Sequence, residues 1–311
     1  MRKKLLIAAD VDRSLMERAS ADPRFEVVFR PVKTEDELAA IVGDAEVLVT
    51  RAYNKVTRRV LDRAPLLELI AQGTSGTDNI DAAAVRDRNI PVISLPGENA
   101  NAVAELVIGF MISLTRTVPF YTREVAAGRW PREDCASRHE MRHFRLGIVG
   151  LGQVGRRVAR LAAAFGMPVS ACDPYISEAD FTTRGATRVA SLDALIASSD
   201  ILTLHVPLSE ETRVMIGSPQ LQMMQRGSIL ISAARGEIID QNAALAALAS
   251  GQLGGLALDV YDPEPPLSPL PDDPRLILTP HVAGCSHECK QAIGARLFEK
   301  ISGFYAHGGS S

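Results

Sequence analysis

The stretch Leu146-Gly147-Ile148-Val149-Gly150-Leu151-Gly152-Gln153-Val154-Gly155 joins a short apolar strand to a Gly-x-Gly-x-x-Gly turn. Val154, Val158, Leu161 and Phe165 then recur at helical spacing, so the turn opens a helix with one apolar face. A second apolar run, Val169-Ser170-Ala171-Cys172, ends at Asp173, 18 positions after Gly155. Each glycine has a physical reason in a dinucleotide-binding turn. Gly150 permits the tight bend, Gly152 lets backbone N–H groups approach a pyrophosphate, and Gly155 lets helix pack on strand. The helix N-terminus faces the phosphates with its partial positive charge. Asp173 would accept from the adenosine ribose hydroxyls and repel a 2′-phosphate, and Pro174-Tyr175 bring no adjacent arginine, so the pattern predicts NAD rather than NADP. An ordinary βα turn is the alternative; the strand, helix and acid in their required places argue against it.

The elements that must position this turn follow from the alternation of short apolar runs with helical patterns. Strands are predicted at 5–9, 26–29, 46–50, 67–70 and 91–94, with a helix over 34–42 among the intervening segments. This alternation implies a parallel sheet covered by helices, with ligands beyond the carboxyl ends of its strands. Two strand ends stand out: Arg51 after 47–50, and Gln72-Gly73-Thr74-Ser75-Gly76-Thr77-Asp78-Asn79, whose small residues would let backbone amides approach an anion. A plain Gly/Asn turn, or a solvated strand-end arginine, is the alternative reading there. From Asn101 a long helix has an apolar face wider than a surface helix needs, expected to pack between domains or between subunits. Residues 128–144 read as an arm or loop. A second sheet starts at Leu146 and continues through 201–204, 228–231, 256–258 and 276–278. Asp240 is expected to cap a helix ending at Gly251, and a closing helix over 286–305 leads to a tail from His307.

The 311 residues suffice for two domains, and a net charge of -3 argues against a nucleic-acid partner. Four cysteines, Cys135, Cys172, Cys285 and Cys289, are too sparse for a disulfide framework and suggest a reducing compartment. The short apolar run after Lys4 is not expected to be a signal peptide, and the longest apolar helical stretch, 102–114, contains Glu105 and is too short to span a bilayer. No membrane partner and a cytoplasmic location are therefore expected. No nucleophile-elbow motif supports serine hydrolysis. His281, Cys285, His287 and Cys289 do not follow a standard zinc spacing, so no metal is expected.

Further motifs carry a resemblance over nearly the whole chain. They are Ala234-Arg235-Gly236-Glu237-Ile238-Ile239-Asp240, Leu258-Asp259-Val260-Tyr261-Asp262-Pro263-Glu264-Pro265 and Thr279-Pro280-His281-Val282-Ala283-Gly284. Ser75-Gly76-Thr77-Asp78-Asn79-Ile80-Asp81 and Asn99-Ala100-Asn101-Ala102-Val103-Ala104-Glu105 match as well. With the glycine-rich turn, the chain resembles the D-isomer-specific 2-hydroxyacid dehydrogenases, most of all their short phosphoglycerate dehydrogenases. It departs at Arg142-His143-Phe144, where that family usually has a glycine. Glu264 stands where the formate dehydrogenase branch has Gln.

The resemblance implies an α/β fold of two doubly wound parallel-sheet domains. A Rossmann NAD-binding domain, 99–284, is inserted in a flavodoxin-like substrate domain, 1–98 and 285–311, and no regulatory domain is expected to follow. It implies a hydride transfer between NAD and a small D-2-hydroxy acid or 2-keto acid, of the 3-phosphoglycerate, hydroxypyruvate or glyoxylate type. His281 matches the proton donor, and an ordinary imidazole pKa of ~6.5 suits that task. Glu264 matches its partner carboxylate, and Arg235 the planar fork that grips the substrate carboxylate and carbonyl. Gln153 and Val154 amides would meet the pyrophosphate, Pro207 and Thr212 the adenosine half, and Ala233 and Asp259 the nicotinamide carboxamide. Ser75 and Gly76 amides would bind the substrate carboxylate, with Arg51 and Asn99 around its far end. A homodimer through the NAD-binding domain is expected. An NAD(H)-responsive corepressor-like or sensor protein of the same fold is the alternative, disfavoured by the full Arg235, Glu264, His281 set.

Overall fold

The computed structural model describes residues 2–133 and 138–306; Cys135 and the tail from His307 lie outside the described residues. The chain divides into two compact units, Met1–Asn99 with Cys285–Ser311, and Ala100–Gly284. The first unit holds β1 (Lys3–Ile7), α1 (Arg13–Ala21), β2 (Phe25–Phe29), α2 (Glu35–Ile41), β3 (Val47–Thr50), α3 (Arg58–Asp62), β4 (Leu69–Gln72), α4 (Ala82–Asp87) and β5 (Val92–Ile93). The second holds α5 (Ala100–Thr115), α6 (Val118–Ala126), β6 (Leu146–Val149), α7 (Gly155–Ala164), β7 (Val169–Cys172), α8 (Glu178–Thr183), β8 (Thr187–Arg188), α9 (Leu192–Ser198) and β9 (Ile201–Leu204). It continues through α10 (Ser218–Met223), β10 (Ser228–Ser232), α11 (Gln241–Ala249), β11 (Leu253–Leu258) and β12 (Leu276–Leu278), after which α12 (His287–Ala306) belongs to the first unit.

Both sheets are parallel. Strands run β2-β1-β3-β4-β5 in the first unit and β12-β11-β10-β9-β6-β7-β8 in the second. The first is the flavodoxin-like order and the second the Rossmann order, each reversing direction at one switch point. The switch falls between β1 and β3 in the first sheet and between β6 and β9 in the second. The central strands β3, β6, β9 and β10 are buried at every residue, which is why their sequences are continuous apolar runs and not alternating ones. Thr34 begins α2 with a reciprocal capping box to Glu37, and Asp240 caps α11 by accepting from Ala243 N–H.

Several expectations change. Asn99 falls with the first unit because Ser75 Oγ donates to its Oδ1 at 2.9 Å. The strand expected at 67–70 lies at 69–72, drawing Gln72 into the sheet; its buried Oε1 accepts from Thr50 Oγ1 at 2.5 Å. Phe165 does not belong to the apolar face of α7. The helix ends at Ala164, Gly166 turns away at φ +75°, and Phe165 is 45% exposed. The wide apolar face of α5 is buried inside its own unit, where Val107, Met111 and Leu114 join Leu146, Val158 and Ile229 in one core. The unburied helix is α6, a segment the sequence pattern did not reveal, and no residue in it is buried. No single helix among the described residues is long and apolar enough to cross a membrane.

Candidate active site

The glycine-rich turn sits at the carboxyl end of β6, at the switch point of the second sheet. Gly150 adopts φ +86°, and a Cβ there would lie 2.8 Å from His205 O. His205 in turn donates its N–H to Val149 O at 2.8 Å, so β9 holds the turn from the side. Burial pushes the His205 imidazole down to about 3, and its Nε2 pairs with Thr203 Oγ1 at 3.1 Å. A Cβ on Gly155 would lie 2.1 Å from Gly150 O, whereas one on Gly152 would meet nothing within 4 Å. Two glycines are thus required by the fold and one leaves a cradle. Val154 is the N-cap residue of α7, a ten-residue helix, and provides no side-chain cap; Arg156 N–H donates to Gly152 O at 3.2 Å and Arg157 N–H to Val154 O at 2.9 Å, so the helix N-terminus beside the cradle is left to the Gly155 N–H and its neighbours before it. Asp173, at the end of β7, accepts from Leu151 N–H at 2.9 Å and from Tyr175 N–H at 3.0 Å. Thr212 donates to Pro207 O at 2.7 Å and accepts from Ser209 N–H at 2.8 Å, closing the loop after β9. An open cradle at a helix N-terminus, with a strand-end carboxylate beside it, fits a dinucleotide. The sequence offered no adjacent arginine, but the fold brings Arg184 to this rim, where it donates to Leu151 O at 2.8 Å.

The second cluster lies at the carboxyl ends of β10, β11 and β12. Asp259 is fully buried. Its Oδ1 accepts from Thr279 Oγ1 at 2.6 Å and Val282 N–H at 2.8 Å, and its Oδ2 from Ala283 N–H at 2.9 Å. Its backbone carbonyl accepts from His281 N–H at 2.8 Å. These bonds hold His281 at φ +54°, a left-handed conformation that a side chain rarely adopts and that the surroundings must impose. Tyr261 supports the same turn through Leu258 O at 3.1 Å and Thr279 O at 2.9 Å, and burial pushes its phenol up to about 12. So held, His281 Nδ1 meets Glu264 Oε1 at 2.7 Å. Arg235 is half-buried, with Nη1 donating to Ala234 O at 2.7 Å. A Cβ on Gly236 would lie 2.0 Å from Tyr261 O, so this close backbone approach fixes the arginine turn against the segment that carries Glu264. Ala233 is half-buried just after β10. Asp259, expected beside a nicotinamide carboxamide, has both oxygens bonded to the His281 turn.

In the first unit, Arg51 follows β3 at the switch point. Its Nη1 reaches Asp10 O at 3.4 Å and its Nη2 Cys285 Sγ at 3.6 Å, both long contacts. Among the described residues no carboxylate pairs with it within ion-pair distance. Gln72 organises the neighbouring loop, donating to Thr74 Oγ1, Gly76 O and Asn79 Oδ1, and Asn79 donates to Arg51 O at 3.2 Å. Ser75 Oγ donates to Leu95 O at 3.1 Å as well as to Asn99, so its hydroxyl serves the loop. The structure therefore gathers Arg51, Ser75, Gly76 and Asn99 in one unit, and Arg235, Glu264 and His281 with the glycine turn in the other. Sequence reasoning picked out the 72–79 loop but gave no role to Gln72 or Asn79 within it, nor to Tyr261 or Thr279. For Gln72 and Thr279 the available signal was a polar residue at the end of an apolar strand.

A family model described as D-isomer specific 2-hydroxyacid dehydrogenase, NAD binding domain, matches residues 108–283. A D-3-phosphoglycerate dehydrogenase of Methanocaldococcus jannaschii is 37% identical over 269 residues, covering 86% of this chain and 51% of the relative. A hydroxypyruvate reductase of Thermotoga maritima is 34% identical over 271 residues, covering 86% of this chain and 87% of the relative. The chain thus spans about half the length of the phosphoglycerate dehydrogenase and most of the reductase. Among solved structures, D-lactate dehydrogenase from Aquifex aeolicus, complexed with NAD and lactic acid, superposes with a TM-score of 0.86 at 26% identity, covering 98% of this chain and 96% of that one.

The two kinds of glycine can be separated. Gly155→Ala is expected to cost about 1–3 kcal/mol of unfolding free energy in urea, as overpacking against backbone does. Gly152→Ala should leave the urea midpoint unchanged and weaken NAD binding at least about tenfold in calorimetric titration, because its methyl group fills only the cradle. Asp259→Asn should lower stability by about 2 kcal/mol in the same urea experiment, since an amide N–H would face N–H donors inside the protein.

Proposed function

This chain belongs to the D-isomer-specific 2-hydroxyacid dehydrogenase family, and from that premise we propose that it is an NAD-dependent oxidoreductase acting between a small D-2-hydroxy acid and its 2-keto acid. The observation that carries the reading is the 2.7 Å contact of His281 Nδ1 with Glu264 Oε1, on a turn forced to positive φ, with Arg235 fixed against the same segment. Bound against the Gly150–Gly155 turn, NAD supplies or accepts the hydride. The Gln153 and Val154 amides, at the start of α7, bind the pyrophosphate, and Asp173 binds the ribose. Ala233 lines the nicotinamide end, and Pro207 with Thr212 the adenosine end.

The chain's own residues manage charge and protons. Reduction of a 2-keto acid builds negative charge on the carbonyl oxygen, which calls for a proton donor and a cationic neighbour. Glu264 engages Nδ1, so Nε2 of His281 is the nitrogen that holds the proton for the substrate oxygen. The carboxylate fixes the ring's orientation and tautomer. Arg235 binds the substrate carboxylate and carbonyl in its fork. In the first unit, Ser75 and Gly76 amides bind the carboxylate, and Arg51 with Asn99 the distal end. Arg51 is half-buried with no carboxylate partner among the described residues, so an apolar substrate tail would leave that cation desolvated. The substrate is therefore small and polar, of the 3-phosphoglycerate, hydroxypyruvate or glyoxylate type.

The working form is a homodimer joined through the second unit. Val118 is 46% exposed, Val125 51% and Trp130 76%, an apolar strip on and after a helix that buries nothing in its own unit. The three described cysteines are free thiols, which fits a cytoplasmic location.

His281→Ala should reduce NADH-dependent turnover at least about 100-fold while NADH affinity stays within twofold. A variant with near-normal turnover contradicts the assignment. Arg51→Ala should lower kcat/KM for phosphohydroxypyruvate at least about fivefold more than for glyoxylate, as loss of a charged contact does. Equal losses contradict the polar distal end. Val125→Glu with Trp130→Glu should shift the sedimentation coefficient from dimer to monomer, and an unchanged coefficient contradicts the α6 interface.

A further inference from the structure

Two carboxylates border the adenosine end of the proposed cofactor site, and only one of them belongs to the glycine fingerprint. Tyr175 donates its backbone N–H to Asp173 Oδ1 at 3.0 Å and its hydroxyl to Glu211 Oε2 at 3.2 Å. The hydroxyl contact spans 36 residues of sequence and joins the loop after β7 to the loop after β9. Those strands flank β6, and in a sheet of this order the nucleotide lies outside their carboxyl ends. Tyr175 is 83% exposed, so water could satisfy its hydroxyl as well; the bond contributes placement of Glu211 and little stability. Glu211 precedes Thr212, whose bond to Pro207 O keeps this loop in one shape.

Arg184 and Arg188 at this rim are engaged, while Arg213, on the loop that carries Glu211, is exposed. Arg184 donates to Leu151 O and stands 3.9 Å from Asp180, and Arg188 pairs with Glu178 at 2.7 Å. A 2′-phosphate there would meet Asp173 on one side and Glu211 on the other, with Arg184 and Arg188 already committed. Ribose hydroxyls carry no charge and do not meet that repulsion.

We propose that Glu211 is a second determinant of NAD over NADP, with Tyr175 as the residue that positions it. The inference rests on the cofactor reading above and adds to it a residue outside the glycine fingerprint. Glu211 is exposed, so salt screens its charge and its contribution depends on ionic strength.

The test is calorimetric titration of the full chain with NAD+ and with NADP+, at about 20 mM and about 500 mM salt, which brackets strong and weak screening. At low salt Glu211→Gln should tighten NADP+ binding about fivefold relative to NAD+, and at high salt the gain should largely vanish. Tyr175→Phe should give a smaller gain in the same direction, because the carboxylate remains but is no longer held. An NADP+/NAD+ affinity ratio that Glu211→Gln leaves unchanged overturns the proposal while the cofactor reading stands. A ratio that Tyr175→Phe leaves unchanged overturns the positioning role. Wild-type protein that fails to bind NAD+ overturns the cofactor reading and this inference with it.

Discussion

Asp259 is a carboxylate with no exposure to water, and the geometry of the catalytic cluster depends on how it is satisfied. An ionised carboxylate in such a place is costly unless several donors surround it. Here a hydroxyl and two backbone N–H groups from residues 279–283 do so, and the carbonyl of the same residue takes the His281 N–H. The consequence is a turn with only one way to close. It carries His281 through a left-handed backbone conformation that the residue would not adopt alone. The strain is supported by burial a few ångströms away, where strands β10 and β11 anchor Asp259 through its N–H to Ser232 O.

This arrangement separates stability from function. The Glu264–His281 pair is exposed on both sides, at 41% and 36% of side-chain surface, and exposed ion pairs add little to folding. Its value is orientation, one ring nitrogen held so that the other can exchange a proton. The rigid part lies beneath: Asp259, Thr279 and Tyr261 on one side, and Gly236 pressed against Tyr261 O on the other. The nucleotide turn follows the same plan. Gly150 and Gly155 are required by contact with backbone, and Gly152 alone is kept for a ligand.

What the sequence revealed was mostly local. The glycine turn, the Asp240 cap and the largely apolar central strands are set by neighbours in the chain, and they were legible there. The comparisons bear out the family and the fold class that the motifs implied. Features made by distant residues were not legible. Gln72 reads as a loop residue until Thr50 is seen to donate to it, and Phe165 reads as core until Gly166 is seen to end the helix before it. The donors that hold Asp259, from residues 279–283, lie 20 and more positions along the chain and leave no local sign. Helix α6 gave no periodic signal of burial because its unit does not bury it.

The central claim is that Glu264 acts through His281, by orienting its ring. The most direct measurement is turnover of 2-keto acid reduction in wild type, Glu264→Gln, His281→Ala and the double variant. Residues that act as one unit lose their effect together, so their losses are not additive. The account predicts that Glu264→Gln lowers turnover when His281 is present and adds no further loss to His281→Ala. Equal losses in the two backgrounds would contradict it.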